Sequence, residues 1–329
     1  MTGEEARTIS EIVLKASELV LLCHVDPDGD AIGSLLGLGL ALKATGRKVS
    51  MVSPDGVPAS YTFLPGSREV ERTIGELGEV TVVIVLDCGD LERLGALREK
   101  VAGHPLLINI DHHPTNGRFG RYNLVDPQAA ATAELVLSLL DRLELPVSLP
   151  VATCLYTGLH TDTGGFRYEN TSPRVHRVAE RLLELGVKPW EVADFVYDTK
   201  PLPQVLLIRE ALSRLKLGCA GRLAWVSLPR SVFRACGTDD TSGLINYPRM
   251  IAGVEVALLF KETEEGTVRV GLRSRHVDVS RLALRFGGGG HARAAGCTLA
   301  GPLERAEEIM LKAAERALEE ELAGERRIH

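Results

Sequence analysis

The sequence predicts an α/β protein whose first half is a doubly wound, mostly parallel sheet, and three observations carry that prediction. Apolar runs at Glu18–His24, Glu79–Asp87 and Pro105–Asp111 are continuous rather than alternating, as strands covered on both faces are. Helix-patterned stretches fall between and after these runs. Past residue 200 the rhythm changes to closely spaced strands with short turns, so a second, smaller domain is expected.

In chain order, ELVLLCH (Glu18–His24) is the first strand, and a helix is expected over Ala31–Thr45 after a Pro-Asp-Gly turn. RKVSMV (Arg47–Val52), EVTVVIVLD (Glu79–Asp87) and PLLINID (Pro105–Asp111) are the next three strands. Helical patterns then occupy Ala129–Leu143, Val151–His160, Ser172–Leu185 and Pro189–Tyr197. KPLPQVLLIREALSRL (Lys200–Leu215) reads as a linker that becomes a helix, with two prolines near its start. LAWVSL (Leu223–Leu228), VEVALLFKE (Val254–Glu262) and TVRVGLRS (Thr267–Ser274) are strands, and the short TEEG turn makes the last two an antiparallel hairpin. A glycine-rich segment (Gly287–Gly296) and a Glu-rich amphipathic helix (Leu303–Leu322) close the chain. The expected divisions are residues 1–199, a linker helix over 200–216, and 217–329.

Composition narrows the class. With 329 residues, 45% of them hydrophobic, the chain has material for two ordinary cores and no compositional mark of disorder. No apolar run approaches the roughly 20 residues of a membrane span. Glu4 and Glu5 stand where a signal peptide is basic, so a cytoplasmic protein without a membrane partner is expected. The six cysteines include no CxxC pair, which excludes a zinc ribbon. A net charge of −6 argues against a general binder of long duplex. Between Arg269 and Arg293, however, stand six arginines, one acid and no lysine, a bias that suits anion recognition by guanidinium forks.

Chemistry gathers at strand ends. The first strand runs into His24-Val-Asp26-Pro-Asp28-Gly-Asp30, the third ends at Asp87, and the fourth ends in Asp111-His112-His113. The carboxyl ends of parallel strands line the crevice where ligands bind, so these side chains converge across the sequence. His160-Thr-Asp162, at the end of an expected helix, is a fourth candidate contributor. Plainer roles exist: Asp28 or Asp30 as a helix cap, Asp87 as a turn residue, and Asp90 with Arg93 as a surface pair. The Asp-His-His triplet resists that treatment, because titratable groups at a buried edge are costly without partners. Many Asp oxygens with one or two imidazoles suit Mn²⁺ or Mg²⁺ better than zinc or copper. Two such ions need a bridging carboxylate, and Gly29 would let a tight turn aim Asp28 and Asp30 inward.

HVDPDGDAIGS, VLDCGD, NIDHHPTN and HTDTGGF together resemble the four motifs of the DHH phosphoesterase family, and GLRSR with GGGGHARAAG resembles its DHHA1 domain. The likeness covers nearly the whole chain and is greatest to the NrnA-type oligoribonucleases that also act on 3′-phosphoadenosine 5′-phosphate (pAp). It implies a DHH sheet domain, a smaller α/β DHHA1 domain with a mixed sheet, and a cleft between them. It further implies two divalent ions, Mn²⁺ ahead of Mg²⁺. His24, Asp28 and Asp87 would hold one ion and Asp30, Asp87, His112 and Asp162 the other, with Asp87 bridging and a hydroxide held between the metals for attack on phosphorus. Asp111 would orient His112, and His113 would face the substrate phosphate and the leaving oxygen. Arg273, Ser274, Gly288, Gly289, Gly290 and His291 would contact the nucleotide, joined by Asn246 and Arg249. The glycine run would also open a helix-terminus phosphate site. His160 would be a packed or capping residue, and Asp26 is left without a role.

The implied substrates are short single-stranded RNA, dinucleotides and pAp, and a homodimer is allowed. Few aromatics, at 5%, argue against a stacking platform for long strands. The nearest rival is a phosphodiesterase for cyclic or linear dinucleotides such as c-di-AMP and pApA, which would use the same cluster. A RecJ-type exonuclease, a family II pyrophosphatase and a non-catalytic nucleotide sensor are the more distant readings.

Overall fold

The computed structural model describes residues 3–325, and the chain packs as two units, Met1–Thr199 and Lys200–His329. The first contains α1 (Gly3–Lys15), β1 (Glu18–Leu22), α2 (Gly29–Lys43), β2 (Lys48–Val52), β3 (Val70–Glu71), β4 (Val82–Leu86), α3 (Arg98–Val101), β5 (Leu107–Asp111), β6 (Tyr122–Val125), α4 (Thr132–Arg142), α5 (Leu149–Asp162), α6 (Pro173–Glu184) and α7 (Pro189–Ala193). Its described strands form one six-stranded sheet in the order β3-β2-β1-β4-β5-β6, parallel throughout. The order reverses between β1 and β4, the switch point at which open α/β sheets bind ligands.

The continuous apolar runs have the reason expected of them. Leu19, Leu21, Val82, Ile84 and Leu86 pack on one face, while Val20, Leu22, Val83 and Val85 pack on the other. Both parities of each strand are therefore buried, and a polar residue in either would meet a core. Helix α2 begins two residues before the expected Ala31, because Asp28 caps it by accepting from the N–H groups of Asp30 and Ala31. Gly29 is helical and makes no tight turn; it serves instead the close approach of α5, where a Cβ would lie 2.4 Å from Thr161 Oγ1. Four elements of this unit had no expected counterpart: α1, which buries Ala6, Ile9 and Val13, and the short β3, α3 and β6. The stretch expected as one helix to Tyr197 is α7 followed by a π turn over Asp194–Asp198.

The second unit contains α8 (Leu202–Ser213), β7 (Lys216–Gly218), β8 (Leu223–Leu228), α9 (Arg230–Cys236), α10 (Asn246–Met250), β9 (Val256–Glu262), β10 (Thr267–Ser274), α11 (Val279–Leu284), β11 (Gly289–His291), β12 (Ala294–Ala300) and α12 (Leu303–Glu325). Its described strands run β11-β12-β10-β9-β8-β7. The β8–β9 pair is parallel and the other pairs antiparallel, so the sheet is mixed, and β9–β10 is the expected hairpin. One face (Val256, Leu258, Phe260, Val268, Val270, Leu272) packs on Ala306, Met310 and Ala314 of α12. The other (Val226, Leu228, Ala257, Leu259) packs on Leu207 and Ala211 of α8 and on Val232 and Phe233 of α9. The glycine run does not open a helix. It enters the β11–β12 hairpin, where a Cβ on Gly288 would lie 2.1 Å from the Gly296 carbonyl oxygen. Among the described residues no helix is long and apolar enough to cross a membrane.

Candidate metal centre

The carboxyl ends of β1, β4 and β5 supply most of the site. Past β1, His24 is buried, and its Nδ1 lies 2.7 Å from the Val25 carbonyl oxygen and 2.8 Å from Arg93 Nη2. Asp28 caps α2 through Oδ1 and also lies beside His24 and Asp87, so its capping and site roles coexist. Asp30, in the first turn of α2, is fully buried. Asp87 follows β4 in left-handed backbone (φ 56°), a conformation that Asp tolerates better than bulkier residues and that clusters at functional sites.

Asp87 stands at the centre of the cluster. Its Oδ2 is 3.5 Å from His24 Nε2, and its Oδ1 is 3.6 Å from His112 Nε2 and 3.7 Å from His113 Nδ1. His112 Nε2 is also 3.2 Å from Asp162 Oδ2 and 3.9 Å from Asp30 Oδ2. Two groups with ligand atoms within 4.8 Å of one another, His24-Asp28-Asp87 and Asp30-Asp87-His112, therefore share Asp87. Every side chain named in the sequence for a metal is brought to this place. His160 packs elsewhere, its ring stacked on Tyr156 with Phe166 and Tyr197 around it. Asp26 is exposed, in left-handed backbone, with its N–H donated to Asp55.

Charge crowding is the electrostatic signature of the site. Burial, with the Asp87 charge added, pushes the Asp30 carboxyl up to about 7. Burial and the charges of Asp30, Asp28 and Asp87 likewise raise Asp162 well above the usual carboxylate range. Asp87 goes the other way: against its burial, the bond to His24 and the imidazoles of His113 and His112 hold it far down. Carboxylates this close together ionise jointly only at a cost that a neighbouring cation would lower.

One expected pairing is corrected. Asp111 Oδ1 accepts from His113 Nδ1 at 2.7 Å, whereas His112 Nδ1 donates to the Ala129 carbonyl at 3.2 Å. In extended backbone residues two apart share a side, so Asp111 reaches His113 and not its immediate neighbour. Burial opposes the charge on His113, but the Asp111 bond and the Asp87 carboxylate raise it to about 9. Asn116 Nδ2 supports Asp111 Oδ2 at 2.5 Å and Asn109 Oδ1 at 2.8 Å. Sequence reasoning missed Asn116 and also Thr132, whose N–H donates to Asp30 Oδ2 at 2.5 Å and whose hydroxyl donates to Asp87 Oδ1 at 3.0 Å. Arg93, whose plainer role would be one half of a surface pair, contacts His24. The NIDHHPTN motif contained Asn116, but nothing in the local pattern marks Thr132.

In the second unit the candidate substrate residues are arranged by register. His291, Ala294 and Arg273 are successive cross-strand partners, and so are Gly289, Gly296 and Gly271. Cross-strand partners share a face, so a row bearing Arg273 and His291 lies beside a row of three glycines. Ile245, preceding α10, comes within 3.3 Å of where a Gly271 Cβ would stand, which puts Asn246 and Arg249 on the helix bordering that face. Space above Gly289 is open, whereas Gly288 and Gly290 are tight against β12. Ser274 is not with this set. It is buried on the opposite face, as the residue after Arg273 must be, and its hydroxyl donates to the Val277 carbonyl.

Comparison with known proteins agrees with this layout. The model of the DHH family N-terminal domain matches residues 18–159, and that of the DHHA1 domain matches residues 232–320. The chain is 41% identical to the bifunctional oligoribonuclease and PAP phosphatase NrnA of Thermus thermophilus, over 94% of this chain and 93% of that one. It is 30% identical to the protein of the same name from Bacillus subtilis, over 91% and 93% of the two chains. An exopolyphosphatase-related protein from Bacteroides fragilis superposes with a TM-score of 0.84 at 29% identity, covering 96% of each chain.

Proposed function

Because the chain belongs to the DHH family and carries its DHHA1 domain, we propose that it hydrolyses short oligoribonucleotides to mononucleotides and removes the 3′-phosphate from pAp. The observation that carries this reading is the sharing of Asp87 by two ligand groups at the sheet's switch point. The donor set fits hard divalent cations: oxygen-rich, with one imidazole in each group, no thiolate among the donors, and carboxylates left crowded by burial. His24, Asp28 and Asp87 would hold one ion and Asp30, Asp87, His112 and Asp162 the other, Mn²⁺ ahead of Mg²⁺. When bound, such a pair supplies charge neutralisation and a water acidic enough to attack phosphorus.

The chain's own residues do the rest. Asp111 holds His113 through Nδ1 and favours its protonated form. The proton at Nε2 is then the one available to the leaving oxygen, a general-acid role. Arg273 and His291, beside the glycine row, would grip a phosphate, with Asn246 and Arg249 at the border. Ser274 is left out of this set because its hydroxyl is spent on its own loop.

The test is a Mn²⁺-dependent assay on labelled RNAs from two to about twenty nucleotides, with pAp in parallel. Preference for the shortest strands and release of phosphate from pAp are expected. Asp87→Ala should lose activity by about 10³-fold or more. Preference for the long strands, or full turnover by Asp87→Ala, overturns the reading.

A further inference from the structure

Thr132 belongs to neither ligand group, yet it bonds to a carboxylate of each. It is the first residue of α4 and has no exposed surface. Its backbone N–H donates to Asp30 Oδ2, and the next N–H, that of Ala133, donates to Asp30 Oδ1 at 2.9 Å. Its hydroxyl donates to Asp87 Oδ1, the oxygen on the His112 side, while Oδ2 faces His24. The N-cap position of α4 is Ala131, whose methyl group cannot accept a hydrogen bond. Asp30, 102 residues away in the chain, takes that part. The start of α4 is thus completed by a site carboxylate rather than by a local cap.

We propose that Thr132 is a positioning residue that fixes Asp30 and Asp87 relative to one another, so that the two ligand groups share Asp87 in one geometry. This inference rests on the metal reading of the site given above. Asp30 and Asp87 are both buried, and two carboxylates so placed repel. Ser34 Oγ adds a third protein donor to Asp30 at 3.2 Å. On Asp87 the Thr132 hydroxyl is the donor that is not an imidazole, so it holds Oδ1 in place without being a ligand itself. A β-branched side chain suits the task, because its χ1 is restricted and the hydroxyl has few places to go. Without the hydroxyl, Asp87 Oδ1 is free to turn toward His112 or His113, and the group formed by Asp30, Asp87 and His112 loses its shape first.

The experiment is a Mn²⁺ binding isotherm on the full chain for wild type, Thr132→Ser, Thr132→Ala and Thr132→Val, with the melting temperature of each metal-free protein. Loss of a group that orients metal ligands costs about 10- to 100-fold in affinity. Thr132→Ala and Thr132→Val should show that loss in at least one of two binding steps, and Thr132→Ser should stay close to wild type. Wild-type affinity in both hydroxyl-free variants overturns the inference and leaves the metal site standing. So does an equal loss in Thr132→Ser, since the hydroxyl would then not be what acts. Should both hydroxyl-free variants fail to fold, Thr132 is a folding residue and the inference falls. A wild-type protein that binds no Mn²⁺ removes the metal reading itself, and this inference with it.

Discussion

In the first unit His24, Asp87, Asp111, His112 and His113 leave the sheet at or just past the end of a strand, and helix ends bring Asp28, Asp30 and Asp162 to them; in the second, Arg273 and His291 stand on the face of a sheet. The sheets explain the contrast. A parallel sheet buried on both faces has only its ends to offer a ligand, and the ends of β1, β4 and β5 are written in the sequence as His24, Asp87 and Asp111-His112-His113. The mixed sheet of the second unit carries an edge hairpin, β11–β12, whose register decides which residues share a face. Strand ends are positions on a line, whereas a shared face is a matter of pairing. Site chemistry built on ends is therefore easier to read from a sequence than chemistry built on faces.

The largest effect that sharpens this comparison concerns Asp111. The family resemblance has it orient His112, while the structure bonds it to His113. Asp111→Asn should lower kcat by about 100-fold, the low end of what a general acid contributes, with Mn²⁺ affinity kept. The check is steady-state kinetics on a dinucleotide beside a Mn²⁺ isotherm. A fall in affinity equal to the fall in kcat would return Asp111 to His112.

What was legible follows the same line. His24, Asp28, Asp30, Asp87, His112 and Asp162 were each named by a motif at the end of an element, and the fold then brought them together. Asp28 shows that a cap and a ligand are not alternatives, since one oxygen takes the α2 N–H groups beside His24. The pairing of Asp111 was lost because the motif gives neighbours in sequence, whereas an extended backbone pairs residues two apart. Thr132 and Arg93 were lost because their meaning lies in contacts made across 45 and 69 residues. The glycine run was read as the approach to a helix because glycine signals freedom without saying for what. Here it admits Gly288 against the carbonyl of Gly296. Ser274 is grouped with Arg273 by the Arg-Ser pair of the DHHA1 motif, and in a strand adjacent residues point to opposite faces.

Arg273 gives the next effect. If its face grips the far end of the substrate, Arg273→Ala should raise KM about tenfold and lower kcat by less, the pattern for binding shared by ground and transition states. Kinetics on di- and trinucleotides would show it. A loss confined to kcat would place Arg273 at the reacting phosphate and make the two units share the chemistry, which breaks the division drawn here.

The smallest effect compares carboxylates. Asp30 and Asp87 crowd each other, whereas Glu307 of α12 is satisfied: Trp225 Nε1 donates to it at 2.7 Å, Ser227 Oγ at 2.6 Å and Lys216 Nζ at 3.0 Å. Against partial burial, the bonds from Ser227, Trp225 and Lys216 hold its carboxyl below the usual range. A carboxyl lowered on folding stabilises the protein above its unfolded pKa, and that contribution is lost as pH falls through the lowered one. Glu307→Gln should thus cost about 1 kcal/mol at neutral pH and progressively less in acid, measured by urea unfolding from pH 7 down to about 3. The metal-free Asp30→Asn variant should cost less than Glu307→Gln at neutral pH, because relief of a crowded buried charge offsets the bonds from Thr132 and Ala133 that it weakens. If both substitutions destabilise alike, Asp30 is held for the fold as Glu307 is, and the crowding at the switch point is not a sign of a cation site.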